Sequence, residues 1–193
     1  GIALLIGTRV FTLKGMLAAT ELDIILFLIG MMTIVGVLKD LGLFTWLIRT
    51  VIRVRRMDGW LFTAILCVLS AVMASVVDEV TSIVVMLALV FQVCDTLKLR
   101  PAPFVLISVM ATNIGSSATM LGNPVGVFIG TKAGFTFGYF LQHATPVALV
   151  ALAVATATCM FWFRRDIRTM SERMRQHRSA NEGLGPLFRI PHR

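Results

Sequence analysis

Residues 112–126, TNIGSSATMLGNPVG, interrupt a hydrophobic segment with polar and helix-breaking residues. The stretch holds two asparagines, two serines, two threonines, one proline and three glycines, between the apolar flanks PFVLISVMA and VFIG. Glycine and proline interrupt helices, and non-helical backbone inside a bilayer is tolerated only where protein covers it or where it lines a cavity. The stretch therefore predicts a gap between two half-helices.

The composition indicates a membrane protein. Hydrophobic residues make up 57% of the 193 residues and the mean hydropathy is +0.86, whereas soluble domains average about 45–50% apolar residues. The net charge of +8 does not indicate a nucleic-acid partner, because the basic residues cluster at the ends of apolar segments and are not interleaved with exposed aromatics. The expected surrounding is a lipid bilayer.

Four apolar segments define a membrane domain over residues 1–163. They are a transmembrane helix at 22–48, a hairpin at 60–93, a broken transmembrane helix at 102–131 and a last transmembrane helix at 145–163. Residues 164–193 are polar and basic and predict a cytoplasmic linker or tail, with a helix lying on anionic lipid as the alternative. The chain starts without methionine inside an apolar stretch, so we expect a fragment of a longer protein.

The distribution of basic residues predicts which side of the membrane each loop faces. Arginines and lysines are dense at 49–56, 98–100 and 164–178, whereas the other side would carry only Arg9, Lys14 and Lys132. The positive-inside rule places the dense segments in the cytoplasm. We therefore expect a multi-pass protein located in the plasma (inner) membrane.

Segment lengths favour a re-entrant hairpin. Its second arm, residues 80–93, would be about 21 Å long as a helix, which is short for a bilayer core of about 30 Å. The tip between the arms, VVDEVTS, contains no hydrophilic loop. Since the break at 112–126 follows only about 15 Å of helix, the two breaks are expected at similar depth, where they could meet.

Three motifs together resemble the ion transporter superfamily, which includes citrate and dicarboxylate carriers, arsenite efflux pumps, sodium/proton antiporters and the melanosomal P protein. They are GMMTIVGVLKDLGLF at 30–44, VVDEVTSIVVMLALV at 76–90 and TNIGSSATMLGNPVGV at 112–127. The resemblance implies an all-α polytopic membrane protein of two inverted repeats, each with a re-entrant hairpin and a discontinuous helix. It covers residues 22–163, which correspond to the N-terminal repeat only. It also implies a homodimer and a second repeat in the same protein.

Two positions depart from the pattern of this superfamily. Many relatives have Asp-Asn at the hairpin tip, where this chain has Asp78-Glu79, and many have Pro-Pro-Asn where this chain has Pro124-Val125-Gly126. The extra carboxylate makes H⁺ at least as suitable a coupling ion as Na⁺. Glu79 suits a proton carrier because desolvation beside a second carboxylate favours the protonated form, and the alternative is a solvated residue in a cytoplasmic vestibule.

Both breaks carry residues suited to binding an ion or a polar substrate. Asp78 and Asn123-Pro124 predict the starts of two half-helices, whose amides attract an anion, while the carboxylates and the ends of the preceding helices offer oxygen to a cation. The small polar side chains could equally serve only to satisfy the broken backbone or to bond across helices. The candidate site residues are Asp78, Glu79, Thr81, Ser82, Asn113, Gly115, Ser116, Ser117, Thr119, Gly122, Asn123 and Pro124, with Asp78, Glu79, Asn113 and Ser116 as candidate Na⁺ ligands.

The sequence predicts a secondary active transporter that moves an anion, such as a carboxylate or an oxyanion, with H⁺ or Na⁺. The alternatives are a sodium/proton antiporter, an arsenite-type efflux permease, and a non-transporting membrane scaffold. No HExxH motif, serine–lysine dyad or catalytic aspartate pair occurs, so we expect no enzyme and no catalytic residues. Cys67, Cys94 and Cys159 are far apart and have no histidine beside them, so we expect no cofactor other than the coupling ion.

Overall fold

A computed structural model describes residues 22–42, 46 and 57–179 of the chain. These residues form helices joined by short turns, and no strand occurs among them. The helices are α1 (Leu22–Asp40), α2 (Gly59–Val76), α3 (Glu79–Leu97), α4 (Ala102–Ser116), α5 (Pro124–Ala133), α6 (Phe137–Trp162) and α7 (Arg164–Ser179). The all-α prediction is confirmed.

Helix α1, up to Val37, belongs to a compact unit separate from that of the other helices. Its sequence is apolar from Leu22 to Leu38. The helix ends at Asp40, and Gly42 follows with φ of +76°, a left-handed conformation that glycine adopts without steric cost. Most of the predicted continuation to residue 48 lies outside the described residues.

Helices α2 and α3 correspond to the arms of the predicted hairpin, and they meet at residues 77–78. Helix α3 continues to Leu97, because Val93, Cys94 and Leu97 are buried while Asp95 points to the surface. Its 19 residues span about 28 Å, so the length argument for a re-entrant arm was wrong. The helices α2, α3 and α6 are each long and apolar enough to cross a membrane. Re-entry of the hairpin stays a prediction.

The core of the larger unit is the contact between α2 and α4. Gly115 lies so close to α2 that an added Cβ would be 2.2 Å from the carbonyl oxygen of Ala71. Two buried hydroxyls, Ser70 and Ser108, bond across the interface at 3.0 Å. The rings of Phe62 and Phe104 meet edge to face at 6.4 Å. Small residues and interhelical hydrogen bonds thus allow close helix packing, as is typical of helices in membranes.

The break in the 102–131 segment lies between α4 and α5. Helix α4 ends at Ser116, residues 117–123 form an irregular loop, and α5 starts at Pro124. Helix α5 then ends at Ala133, and Gly134 follows with φ of +68°. The discontinuous helix therefore falls where its sequence predicts it.

Helix α6 starts eight residues earlier than the predicted 145. Thr136 caps it, because the Thr136 hydroxyl accepts a hydrogen bond from the Tyr139 amide at 3.3 Å. Pro146 lies inside the helix without ending it. Most of its apolar side chains are exposed, Val150 and Trp162 among them, which suits a helix in contact with lipid.

Helix α7 packs against α2 along one face, so residues 164–179 are not fully solvated, and their role as a cytoplasmic linker or tail stays a prediction. Ile167, Met170 and Met174 recur at helical spacing and are buried. The Gly59 amide, at the start of α2, donates to the Ser171 hydroxyl at 2.9 Å. The packing of this segment was not predicted, because arginines dominate its sequence and its apolar stripe has only three residues. Residues 180–193 lie outside the described residues.

Candidate substrate and ion site

The tip of the hairpin and the break in the discontinuous helix contact each other. The Glu79 amide donates to the Gly122 carbonyl at 3.1 Å, and the Ser116 hydroxyl donates to Oε2 of Glu79 at 3.1 Å. Glu79 and Ser116 are separated by 37 residues along the chain. The structure therefore brings together the two polar stretches that the sequence singled out.

Both half-helices that begin here are capped by their own side chains. Oδ1 of Asp78 accepts from the Thr81 amide at 2.8 Å, and Oδ1 of Asn123 accepts from the Gly126 amide at 2.8 Å. Both residues have the extended backbone that a helix-capping residue requires. Pro124 occupies the first helical position of α5, where its missing N–H costs nothing.

The caps leave few free amides at the two helix starts. In α3 the amides of Glu79 and Thr81 are already bonded, and in α5 the amide of Gly126 is bonded and Pro124 has none. Within the described ranges, the amides of Val80 and Val125 donate no hydrogen bond. An anion at this site would therefore meet one free amide from each helix, fewer than the sequence suggested.

The carbonyls at the ends of α2 and α4 are also largely engaged. The Thr119 hydroxyl donates to the Ser75 carbonyl at 2.5 Å, and Nδ2 of Asn123 donates to the Ser116 carbonyl at 3.2 Å. The Ser116 hydroxyl lies 3.0 Å from the Asn113 carbonyl oxygen, its second acceptor. Part of the polarity of the motif therefore satisfies the broken backbone, which was the structural alternative.

Ser116 is the link between the two breaks. Its side chain is buried, and its hydroxyl contacts Glu79 as donor and Nδ2 of Asn123 as acceptor, the latter at 3.3 Å. Asp78 and Glu79 are half-buried beside it. No group of three histidine, cysteine or acidic side chains gathers anywhere in the described part of the chain. A cation at this site would therefore meet the two carboxylates of Asp78 and Glu79, with hydroxyl and amide oxygens completing its shell, and such oxygen ligands suit a hard ion.

Three candidate residues lie on the outside of this contact. Asn113, Ser117 and Pro124 are exposed. Nδ2 of Asn113 donates to the Val109 carbonyl at 2.8 Å, and the Ser117 hydroxyl donates to the Ile114 carbonyl at 2.7 Å, so both side chains bond only within their own turn. The structure does not bring them to the Glu79–Ser116 contact.

The remaining candidates are Thr81, Ser82, Thr119 and two glycines. Thr81 is half-buried and takes part through its amide, whereas Ser82 is fully buried and its hydroxyl has no hydrogen-bond partner among the described residues. Gly122 permits the chain to turn back on itself, because an added Cβ would lie 2.2 Å from the Ser116 carbonyl oxygen. The close approach of Gly115 to α2 likewise gives that glycine a packing role.

Two contributors were missed by the sequence interpretation. The Ser75 carbonyl, at the end of α2, binds Thr119. Thr145 of α6 donates to the Ala118 carbonyl at 2.8 Å and so fixes the loop between the half-helices. Thr145 stands directly before Pro146, and a hydroxyl beside a proline in an apolar helix was the one available signal.

Sequence comparisons relate this chain to one protein family and to several individual proteins. A family profile described as citrate transporter matches residues 1–183. The chain is 31% identical over 160 residues to a 46 kDa membrane protein of Mycobacterium leprae, covering 83% of this chain and 37% of that protein. It is 30% identical over 165 residues to an uncharacterized transporter of Mycobacterium tuberculosis (strain H37Rv), covering 86% and 38% respectively.

A more distant similarity extends to the P protein of Homo sapiens, with 29% identity over 153 residues, 76% of this chain and 18% of that protein. No solved structure matches the chain significantly. The chain thus spans little more than a third of the length of the mycobacterial relatives. With three helices among its described residues long enough to cross a bilayer, and a family match over most of its length, the chain is an integral membrane protein that belongs to the citrate transporter family.

Proposed function

We propose that this chain is the first repeat of a secondary active transporter that moves an anion, such as a carboxylate or an oxyanion, together with H⁺ or Na⁺. The observation that carries the proposal is the contact between Glu79 and Ser116, which joins a hairpin tip to a broken helix. Broken helices and their termini are how many secondary transporters bind substrate and coupling ion near the middle of the membrane.

The site offers both polarities that such coupling needs. The free amides of Val80 and Val125 suit an anionic group, and the carboxylates of Asp78 and Glu79 suit a cation. Glu79 is the candidate proton carrier, because its carboxylate is half-buried at the contact between the two breaks. A protonated Glu79 would lose its charge, and this would change the affinity for an anion bound nearby.

The relatives support transport as the class of function, since one of them is named a transporter and the family is described as citrate transporter. Because the chain covers 37–38% of the mycobacterial proteins, the complete protein is proposed to contain a second, inverted repeat. A homodimer is proposed from the resemblance to the superfamily alone. The proposed location is the plasma membrane, with the basic loops in the cytoplasm. No enzymatic reaction is proposed for it.

Uptake by the complete protein in proteoliposomes tests the proposal. Citrate, a dicarboxylate and arsenite are offered in turn, under an imposed Na⁺ gradient, an imposed H⁺ gradient or neither. Gradient-driven uptake of one anion is the expected result. Exchange of Na⁺ for H⁺ without an anion would indicate an antiporter, arsenite extrusion would indicate an efflux permease, and no flux of any solute would favour a scaffold.

Glu79→Gln tests the proton carrier in the same vesicles. The variant keeps the size and the hydrogen-bonding capacity of the side chain but cannot exchange a proton, so uptake driven by an H⁺ gradient is expected to fall at least about tenfold. Asp95→Asn is the matched control, because Asp95 is exposed at the other end of the same helix. Unchanged proton dependence in Glu79→Gln would contradict the role assigned to Glu79.

A further inference from the structure

A cleft lies between the start of α2 and helix α7, and none of its lining residues belongs to the candidate site. It encloses about 200 Å³ and is lined by Asp58, Trp60, Arg168, Ser171, Glu172 and Arg175. This volume is smaller than the usual small-molecule pocket of about 300 Å³ or more. It suits one small polar group.

The charges in the cleft are balanced but poorly paired. Nε of Arg175 lies 3.8 Å from Oδ1 of Asp58, and these side chains are 73% and 46% exposed, so their attraction is weak. Arg168 and Glu172 are exposed and form no ion pair with any described residue. The cleft therefore presents two guanidinium groups and two carboxylates to a ligand.

The cleft is expected at the level of the lipid headgroups. Helix α2 is a candidate membrane span that begins at Gly59, and Trp60 is partly exposed directly beside that start. Tryptophan is enriched where a span enters the membrane–water interface. The polar lining of the cleft is thus expected at the depth of phosphate and amine groups.

An exposed apolar stripe on α2 starts beside the cleft. Leu61, Val68, Val72 and Val76 are exposed and share one face of the helix, at spacings of seven, four and four residues. An acyl chain attached to a headgroup in the cleft could lie along this stripe. A free phosphate or a soluble amine would leave the stripe uncovered.

The apolar face of α7 is not available to insert into lipid. Ile167, Met170 and Met174 are buried against protein, and α7 is fixed to α2 by the Ser171–Gly59 hydrogen bond. The helix therefore acts as a rigid support that holds Arg168, Glu172 and Arg175 at the edge of the membrane.

We propose that this cleft binds the headgroup of a phospholipid that carries both a phosphate and a primary ammonium, as phosphatidylethanolamine does. Arg168 and Arg175 bind the phosphate, for which guanidinium is well suited, and Glu172 binds the ammonium. Asp58 stays beside Arg175 and orients it. An anionic lipid would match the arginines but would leave the Glu172 carboxylate without a cation.

Native mass spectrometry of the complete protein in detergent tests this proposal. Phosphatidylethanolamine, phosphatidylglycerol and phosphatidylcholine with identical acyl chains are added separately, and the bound fraction is measured. Phosphatidylethanolamine is expected to bind about fivefold more tightly than the other two, the effect of one moderately exposed charge interaction. Equal or tighter binding of phosphatidylglycerol or phosphatidylcholine, or no retained lipid, would overturn the proposal.

Two variants locate the site on the protein. Arg168→Gln is expected to weaken phosphatidylethanolamine binding about fivefold, and Glu172→Gln is expected to abolish the preference over phosphatidylglycerol. Arg173→Gln is the matched control, because Arg173 is exposed on α7 and does not line the cleft. If Arg173→Gln weakened binding as much as Arg168→Gln, the lipid would be held by the general charge of α7 and the cleft would not be its site.

A competition experiment distinguishes a lipid from a free ligand. Glycerophosphoethanolamine and inorganic phosphate, each at the concentration of the lipid, are expected to leave bound phosphatidylethanolamine in place, since neither can cover the stripe on α2. Displacement by inorganic phosphate would identify a phosphate site and overturn the lipid assignment.

Discussion

The polar motif at 112–126 has two faces with different surroundings. Its inward face, Gly115, Ser116, Thr119 and Gly122, is buried, and each member contacts α2, the start of α3 or the loop itself. Its outward face, Asn113, Ser117 and Pro124, is exposed and makes no hydrogen bond beyond its own helical turn. The inward face therefore accounts for how a broken helix stays folded in an apolar environment. Asn113 and Ser117 have no such structural role, which makes them the better candidates for binding something outside this repeat.

The largest effect is expected for Gly115→Ala. The new Cβ would lie 2.2 Å from the Ala71 carbonyl oxygen, so α2 and α4 would have to separate along their main interface. We expect a loss of about 3 kcal/mol in the free energy of unfolding, at the upper end of overpacking effects. The measurement is thermal unfolding of the purified protein. Gly36→Ala is the control, because nothing lies within 4 Å of its added Cβ, and equal stability of the two variants would contradict the close contact.

Substitutions of the neighbouring residues Ser116 and Ser117 allow the inward and outward faces of the motif to be compared directly. Ser116→Ala removes the hydroxyl that links Glu79 to Asn123 and is expected to cost about 1.5 kcal/mol of stability. Ser117→Ala removes an exposed hydroxyl that bonds only to the Ile114 carbonyl, and a change below about 0.5 kcal/mol is expected. Thermal unfolding of both variants in one detergent gives the difference. Equal losses would mean that the burial of Ser116 contributes nothing.

Substitutions of Asn123 are expected to have a smaller effect on stability, and they distinguish its role as a helix cap from its hydrogen bond to Ser116. Asn123→Ala loses both the cap on Gly126 and the hydrogen bond to the Ser116 carbonyl, and should cost about 1 kcal/mol or slightly more. Asn123→Asp keeps an acceptor for the cap but loses the donor to Ser116. If the cap dominates, thermal unfolding will place Asn123→Asp near the wild type. A loss equal to that of Asn123→Ala would instead assign the stability to the link with Ser116.

The sequence predicted the parts of this site that depend on local chemistry. Asp78 and Asn123 were identified as caps because each stands directly before an apolar helix, and the break follows from its glycines and proline. The hydrogen bonds between the breaks could not be derived, since the partner of Glu79 depends on how α4 packs against α2 and α3. The start of α6 was predicted eight residues too late, because residues 137–145 include polar side chains. Thr136 caps the helix before these residues, and they are helical. Tertiary packing also decided that α7 is held against α2.

The smallest effect on stability is expected for Asn113→Ala, and it carries the most functional information. Asn113 is exposed and bonds only to the Val109 carbonyl, which already belongs to the helix, so the free energy of unfolding should change by less than about 0.5 kcal/mol. If the outward face contacts substrate or ion, removing one hydrogen-bonding amide should still lower uptake in proteoliposomes about tenfold, the equivalent of about 1.4 kcal/mol of binding. Thr158→Ala, which removes an exposed hydroxyl of α6 that bonds only to its own helix, is the control and should leave both quantities unchanged. Full uptake by Asn113→Ala would exclude Asn113 from binding and remove the main support for a binding role of the outward face.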